Sequence, residues 1–458
     1  MCTGFALSCS FGRSKRQTGL PSKGIHFFGR VDVRNYKWLN PTSEVSIAWN
    51  SCQQARALFG NQKRAPIIVL TGLRGLAAYI VLFGHAFDYG TRGAAHPYVV
   101  GPVYFGMALF FVLSGFVIYY NYSGIFENGV FAGGYRFFVA RFARLYPLYI
   151  VMLTISLVMF PHQYFLGIHW PIGLAALTLT QSWFNLQGVS GSLFGQSWSI
   201  STEWGFYALF LPLCLAVVRI RRPAVAFIMF LVATFTVLTA LFFLFRGPAV
   251  ALTSSLTSGY PVSAPPWMWI TYFGPLRFLE FVAGVLACRL YLSMPESAKK
   301  FIENRSTSIL AACALWLCIT MAFAGRASLP PPVLDLARCF AFAPAVSIAI
   351  IVLCAVQTGA GRLLSSRPAV FAGEISYSVY VWQFLVLFEL SASGRIATWA
   401  AFSAWAIGLD TALSVASFWL LEKPARVLVR RTMLAAPRIF GDFIVGARAT
   451  AGSVSQRK

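Results

Sequence analysis

Two polar residues with chemical potential lie in one apolar stretch near the start of the chain. In VLTGLRGLAAYIVLFGHAF, residues 69–87, Arg74 can bind an anion and His85 can accept a proton. They are eleven residues apart, which on an α-helix is about three turns and ~16 Å, so both lie on one face. Alternatively, Arg74 extends to the membrane interface and His85 ends the helix. These two residues alone do not decide between the interpretations.

A pair of arginines forms the second candidate. Arg141 and Arg144 stand in RFFVARFARLYPLY, 136–149, just before a Tyr-Pro step. Guanidinium groups bind phosphate oxygens in a bidentate manner. Arginines also anchor the cytoplasmic ends of membrane helices. Composition alone favours anchoring, with an anion site as the alternative.

Hydroxyls and one carboxylate crowd a third stretch, QSWSISTEWGFY at 196–207, with Trp198, Ser199, Ser201 and Glu203. Serine followed by Glu is typical of a capping box, with Ser199 or Ser201 capping a helix. A carboxylate at membrane depth could also orient a histidine or accept a sugar hydroxyl. Both roles are compatible with the pattern.

The remaining charged and metal-ligating residues favour structure over chemistry. Arg277 and Glu280 are three residues apart on one helix face, and we expect a structural ion pair. The nine cysteines show neither CxxC pairs nor metal-ligand spacing. We therefore expect no disulfide framework and no metal site.

The elements that must position these residues are membrane helices. The chain is 58% hydrophobic and only 11% charged, whereas soluble domains average about 25% charged residues. Eleven apolar segments follow one another, at 66–87, 99–122, 145–161, 171–187, 202–218, 223–245, 268–291, 307–325, 339–357, 369–391 and 397–421.

The distribution of positive charge predicts how these segments cross the membrane. The net charge of +23 is concentrated in the two ends and in short segments between apolar runs, which indicates anionic lipid headgroups as partners rather than nucleic acid. The arginines of 136–144 and 219–222 share the cytoplasmic side only if 171–187 does not cross. We therefore predict an all-α polytopic membrane helix bundle of about ten transmembrane helices plus one re-entrant or interfacial segment, with both termini cytoplasmic.

The chain divides into three regions. Residues 1–65 form a basic segment, explained by either a disordered cytoplasmic tail or a start codon assigned too far upstream. Residues 66–421 form the transmembrane domain, and 422–458 form a second basic cytoplasmic tail.

Seven short motifs, taken in order, carry a resemblance. They are the Arg-x10-His of Arg74 and His85 within the LRGLAA opening, FFVLSGF at 110–116, the RxxR of Arg141 and Arg144 leading into YP, SWSISTE at 197–203, RFLEFVAG at 277–284, ISYSVYVWQ at 375–383 and EKPAR at 422–426. With these motifs, residues 66–431 resemble the integral-membrane acyltransferase-three family of bacterial O-acyltransferases, which modify cell-surface and secreted carbohydrates.

The resemblance implies transfer of an acyl group, usually from acetyl-CoA, to a hydroxyl of an exopolysaccharide, lipopolysaccharide or lipo-oligosaccharide. It implies a multi-pass protein of the bacterial inner membrane, with acyl-CoA as co-substrate and no permanently bound cofactor. His85 would be the catalytic base, while Arg74, Arg141 and Arg144 would hold the CoA phosphates or position the donor. Arg74 and Glu203 would be catalytic together with His85. Glu203, Ser199 and Ser201 would shape the acceptor side or orient His85, and Trp198 would also bind the acceptor.

Two positions depart from the family pattern. Many relatives have an acidic residue where this chain has Ala108, and many have a histidine where it has Gln383. A polytopic transporter or flippase of a glycan or lipid-linked precursor is the alternative function, but the two halves show none of the repetition that transporters often have. A catalytically inactive membrane scaffold is the third hypothesis.

Overall fold

The computed structural model describes residues 64–124, 130–159, 170–183, 195–257, 272–396 and 398–435, and the predictions for 1–63 and 436–458 lie outside this part. The described residues are helical and contain no strand. The helices are α1 Ile68–Gly90, α2 His96–Tyr122, α3 Val130–Met159, α4 Trp170–Thr178, α5 Ser197–Val218, α6 Pro223–Thr257, α7 Gly274–Leu292, α8 Glu296–Gly325, α9 Pro331–Cys339, α10 Ala343–Ala355, α11 Gly359–Leu364, α12 Arg367–Ser393 and α13 Trp399–Ser417.

Nine helices of the described chain are long and apolar enough to cross a membrane, with α9 and α10 counted together as one. α7 adds a tenth long helix of 19 residues. It carries three charged residues, Arg277, Glu280 and Arg289. The all-α polytopic bundle is confirmed, since helices satisfy every backbone group within one segment in a solvent without water.

The segment predicted not to cross contains only a short helix. α4 has nine residues, about 14 Å of helix, which is less than half of the ~30 Å hydrocarbon core. The chain turns after it at Leu179, whose φ is +57°. Ser182 then donates to the Trp198 carbonyl at 2.6 Å, and its own carbonyl accepts the Gly274 N–H at 2.9 Å. These bonds hold the end of α4 against α5 and the start of α7.

α3 is longer than the apolar segment at 145–161 indicated. It begins at Val130 and runs for 30 residues. Arg141 and Arg144 therefore lie within the helix and not in the segment that precedes it. Phe137, Val139 and Ala143 are buried, so buried apolar positions continue between the arginines and extend the helix towards Val130.

The last helix also extends beyond its predicted end. After Ser417 a π-helical turn, Phe418–Glu422, leads into further helix up to residue 435. Glu422 is buried in this turn, accepts the Ser378 hydroxyl at 2.8 Å and pairs with Arg426. The first part of the predicted tail therefore packs as a continuation of the bundle.

α1 and α12 pack with their backbones in direct contact. A Cβ added at Gly373 would lie 1.9 Å from the Thr71 carbonyl oxygen, and one at Gly75 would lie 2.7 Å from the Gly373 nitrogen. The same happens between α2 and α7, where a Cβ on Gly284 would meet the Val112 oxygen at 1.9 Å. Small residues permit this close approach between membrane helices.

A buried ion pair supports the break between α9 and α10. The side chains of Arg277 and Glu280 are completely buried and 3.3 Å apart, which confirms the predicted pair. Arg277 also donates to the carbonyls of Arg338 and Cys339 at 2.8 and 3.1 Å. These carbonyls end α9 and would otherwise lack helical partners.

One end of the bundle collects basic residues. Arg289 at the end of α7 donates to the Ile220 carbonyl between α5 and α6, and Tyr135 at the start of α3 donates to the Met433 carbonyl. We call this the basic end. Its connecting segments and helix termini carry Arg219, Arg221, Arg222, Arg362, Arg367, Lys423, Arg430 and Arg431.

The contact between α1 and α12 can be tested with an added methyl group. Gly373→Ala should lower stability by about 1–3 kcal/mol, because the Cβ overlaps a backbone oxygen that cannot move alone. Thermal unfolding of the detergent-solubilised protein measures the loss. The matched control is Gly408→Ala in α13, where a Cβ meets nothing within 4 Å, so the unfolding midpoint should be unchanged or higher. Equal midpoints for the two variants would contradict the packing.

Candidate active site

Five helices, α1, α2, α3, α5 and α12, line a cavity of about 80 Å³. Its walls are apolar, with a few convergent polar groups. The polar residues that line it are Arg74, Ser114, Arg141, Arg144, Ser199, Glu203, Ser376, Tyr377 and Tyr380.

Three arginines from two helices reach this cavity, and they use few of their donors on the protein. Arg74 donates to the Ser376 hydroxyl at 3.3 Å. Arg141 donates to the Tyr122 hydroxyl at 3.0 Å and lies over the ring of Tyr122, 5.1 Å from its centroid. The buried Nε of Arg141 has no hydrogen-bond partner in the described structure. Arg144 makes no hydrogen bond or salt bridge to the described residues.

One carboxylate faces the three cations, and neutral hydroxyls hold it. Glu203 Oε1 accepts hydrogen bonds from Ser114, at 3.2 Å, and from Tyr207. No arginine in the described chain approaches it closely enough for a salt bridge. The cavity is therefore positive overall, with unused guanidinium N–H groups that can bind a polyanion such as a phosphate chain.

Ser199 and Tyr380 form a hydroxyl pair in the cavity wall. Ser199 Oγ is 2.6 Å from the Tyr380 hydroxyl and 3.0 Å from the Gln196 carbonyl. The carbonyl can only accept, so Ser199 donates to it and Tyr380 donates to Ser199. Both side chains are thereby fixed at the edge of the site.

His85 lies beyond the cavity and does not line it. Its Nδ1 is 3.3 Å from Gln383 Oε1, and its ring packs on Phe384 with centroids 4.8 Å apart. Gln383 follows Tyr380 by one helical turn, so His85 is next to the wall that Tyr380 forms. Arg74 and His85 share the uninterrupted helix α1, as their spacing predicted.

Two of the predicted acceptor residues face other parts of the structure. Trp198 packs against the rings of Phe111 and Tyr272, with centroid distances of 6.1 and 4.7 Å. Ser201 donates to the Leu179 carbonyl and accepts the Ser182 N–H. Trp198 therefore packs and Ser201 holds the end of α4, while their role in binding the acceptor stays a prediction.

The capping box predicted at Ser199 or Ser201 is wrong. α5 begins at Ser197, and its N-cap, Gln196, makes no side-chain capping bond. Ser199, Ser201 and Glu203 are thus inside the helix. Glu203 hydrogen-bonds to Ser114 and Tyr207, so the predicted contact between Glu203 and His85 is replaced by the one between Gln383 and His85.

Several polar residues of the site were not predicted from the sequence. In ISYSVYVWQ, Ser376, Tyr380 and Gln383 are spaced i, i+4, i+7, which is one helix face. That spacing is the signal that could have found them. Ser114, Tyr122 and Tyr207 come from otherwise apolar segments, and their positions depend on how the helices pack.

The comparison with protein families agrees with this arrangement. A family model described as an acyltransferase domain matches residues 67–421, which is most of the chain. The chain belongs to the acyltransferase-three family. It is therefore a multi-pass membrane protein of an acyltransferase family, and the cavity with its three arginines lies inside the matched region.

Two of three curated relatives of this family member are named as an acyltransferase or an O-acetyltransferase. It is 28% identical over 344 residues to Acyltransferase MdmB of Streptomyces mycarofaciens, covering 69% of this chain and 78% of that protein. It is 26% identical over 387 residues to Nodulation protein 10 of Rhizobium leguminosarum bv. viciae, covering 80% and 95%. It is 24% identical over 342 residues to the putative peptidoglycan O-acetyltransferase YrhL of Bacillus subtilis (strain 168), covering 69% and 48%.

Coverage differs among these relatives. The alignments with two of the curated relatives span about half of each of those proteins. No solved structure matches the chain. The site described above is accordingly built from this chain's own contacts.

The strength of the hydrogen bond from Tyr207 to Glu203 can be tested by removing the tyrosine hydroxyl. Tyr207→Phe should cost about 1.5–3 kcal/mol because its hydroxyl donates to a carboxylate, whereas a neutral hydrogen bond contributes ~0.5–1.5 kcal/mol. Tyr377→Phe is the matched control, since Tyr377 donates to the Leu145 carbonyl at 2.7 Å. The measurement is the free energy of unfolding of each variant, compared with that of the parent in the same detergent. An equal loss in the two variants would mean that the bond from Tyr207 to Glu203 is no stronger than a neutral hydrogen bond.

Proposed function

We propose that the protein transfers an acyl group from acyl-CoA to a hydroxyl of a cell-surface or secreted carbohydrate. The observation that carries this proposal is the cavity in which Arg74, Arg141 and Arg144 meet one carboxylate. A half-buried cluster of cations with unused donors is costly in a membrane, and ionisable residues inside membrane proteins indicate functional sites by default.

Acyl-CoA has the chemistry that this cavity complements. Its phosphates are polyanionic, and guanidinium groups bind phosphate in pairs of parallel hydrogen bonds. The orphaned Nε of Arg141 and the unpaired guanidinium of Arg144 supply such donors on one helix. The apolar part of the wall, formed by Met107, Phe110 and Phe111 among others, suits the uncharged arm of the donor.

His85 is the proposed base of the transfer step. The acceptor hydroxyl loses its proton to His85 as its oxygen attacks the thioester carbonyl. The carbon–sulfur bond then breaks, sulfur leaves with the electron pair, and the proton goes to the sulfur to give CoA with a free thiol. An imidazole suits this exchange because its ordinary pKa lies near neutrality.

Acceptor binding is proposed for the region between Glu203 and the hydroxyl pair. Glu203 can accept a hydrogen bond from a sugar hydroxyl, and Ser199 and Tyr380 lie on the adjoining wall. The name of the Bacillus relative, a putative peptidoglycan O-acetyltransferase, supports a glycan acceptor and an acetyl group. Exopolysaccharide, lipopolysaccharide and lipo-oligosaccharide are the acceptor classes that we propose.

The basic end of the bundle is the proposed cytoplasmic side. Positive residues are retained on that side of bacterial inner membranes, and Arg74, Arg141 and Arg144 lie on the halves of α1 and α3 that begin there. Acyl-CoA would enter from the cytoplasm, and both chain termini would lie on this side. Anionic lipid headgroups would contact the exposed arginines and lysines of the basic end.

His85→Ala should lower acyl transfer about 10²–10⁴-fold, the usual contribution of a positioned base. Two measurements check this: transfer of label from acyl-CoA to glycan in membranes, and the mass of envelope glycans, which should lose one acyl increment. His96→Ala is the matched control, because His96 is exposed and pairs with Asp88. It should retain activity.

Undiminished transfer by the His85 variant would contradict its role. Substrate flux in vesicles without any acyl transfer would instead favour the transporter alternative.

Arg144→Gln should weaken acetyl-CoA binding about 10–100-fold, since a hydrogen bond to a charged group contributes ~1.5–3 kcal/mol. Titration of the detergent-solubilised protein measures the affinity. Arg136→Gln is the matched control, because Arg136 lies on the same helix but is exposed and outside the cavity. Acetyl-pantetheine, which has no phosphate, should bind both variants like the parent. If Arg144→Gln weakened the binding of acetyl-CoA and of acetyl-pantetheine equally, Arg144 would not contact the phosphates.

A further inference from the structure

Gln383 is a buried amide whose two ends are both engaged. Its side chain is inaccessible to solvent. Nε2 donates to the Tyr380 carbonyl at 3.0 Å, and Oε1 lies 3.3 Å from His85 Nδ1. Among the described residues, Gln383 is the side chain to which the His85 ring is hydrogen-bonded.

The orientation of this amide determines where the imidazole carries its proton. The Tyr380 carbonyl can only accept, so the NH2 group of Gln383 must face it and the oxygen must face His85. That oxygen is also an acceptor only, so Nδ1 must bear the hydrogen. The neutral ring then has its lone pair on Nε2, the nitrogen on the opposite side of the ring from Gln383.

We propose that Gln383 is the positioning residue of the transfer reaction, fixing His85 as the Nδ1–H tautomer with Nε2 available as the base. This inference rests on the function proposed above. It gives the acceptor proton a defined destination, Nε2, while Nδ1–H keeps its bond to Oε1 before and after that proton arrives. The Phe384 ring, tilted by 47° against the imidazole, limits rotation of the ring about its own bond.

The same turn of α12 connects this pair to the cavity. Tyr380 offers its carbonyl to Gln383 and its hydroxyl to Ser199 at the cavity wall. A shift of this turn would therefore move the wall and the imidazole together.

The charged groups near His85 leave the assignment to Gln383 intact. Asp88, one turn further along α1, is engaged with His96 at 3.0 Å. These two residues act on the imidazole through charge and are the titratable neighbours that influence its pH response. Neither makes a hydrogen bond to the His85 ring.

Two substitutions of Gln383 should have different signatures. Gln383→Leu removes the acceptor, so kcat should fall about 10–100-fold, as when the outer partner of a metal-bound histidine is removed. KM for acyl-CoA should stay unchanged, because the arginines are untouched. Gln383→Glu keeps an acceptor but stabilises the protonated ring, so the acid limb of the kcat/KM profile should move to higher pH.

Nitrogen NMR of histidine-labelled protein gives a readout that does not depend on activity. With the His85 signals identified by difference from His85→Ala, the parent should show a protonated Nδ1 and a free Nε2. Gln383→Leu should shift this pattern towards the other tautomer. The matched control is Gln196→Leu, another fully buried amide that donates to the α12 backbone, at Val381, and it should leave the His85 signals and the acid limb in place.

A parent protein with the Nε2–H tautomer, or an unchanged spectrum in Gln383→Leu, would overturn the inference. So would acid limbs that coincide in parent and Gln383→Glu. An absence of acyl transfer by the parent would sink the proposed function instead, and the NMR result would still decide the role of Gln383.

Discussion

The contact between the backbones of α1 and α12 determines the geometry of the whole site. Gly75 and Gly373 let these helices approach until neighbouring backbone atoms touch. Both helices begin at the basic end and run in the same direction, so one register brings Arg74 to Ser376 and His85 to Gln383. The second contact lies about three turns further along α1 and about two turns further along α12. A larger residue at the contact would separate both pairs together, and both halves of the site therefore depend on the same few atoms.

Charges inside the bundle are treated in two opposite ways. Arg277 is completely buried with Glu280 against it, and it completes the carbonyls where α9 ends. This pair is neutral overall, and it acts as structure. The guanidiniums of the cavity are instead left with donors to spare, and Glu203 is held by hydroxyls rather than by an arginine. Desolvation of unpaired charge costs several kcal/mol per ion. A ligand of opposite charge that entered the cavity would offset this cost by pairing with the guanidiniums.

Local sequence could predict a residue's place on its own helix but not which helix it meets. The eleven-residue spacing of Arg74 and His85 correctly placed both on one face of α1, and charge counting correctly limited the segment containing α4 to a short element. The same reasoning could not predict the contacts of Ser201 and Trp198, because SWSISTE is equally compatible with a capping box, a binding surface and a packing surface. The partner of His85 could not be predicted from its neighbours in sequence, since Gln383 lies 298 residues away and reaches it through packing of α12 on α1.

That separation has a consequence for how the protein is made. α1 enters the membrane first, yet Ser376 and Gln383 follow it by 302 and 298 residues, and domains are built during synthesis from the N-terminal side at ~5–20 residues per second. For most of its synthesis the nascent chain therefore holds an arginine and a histidine in lipid without their native partners. The cavity is completed only when α12 inserts, so shorter nascent chains expose charges that α12 contacts in the finished protein.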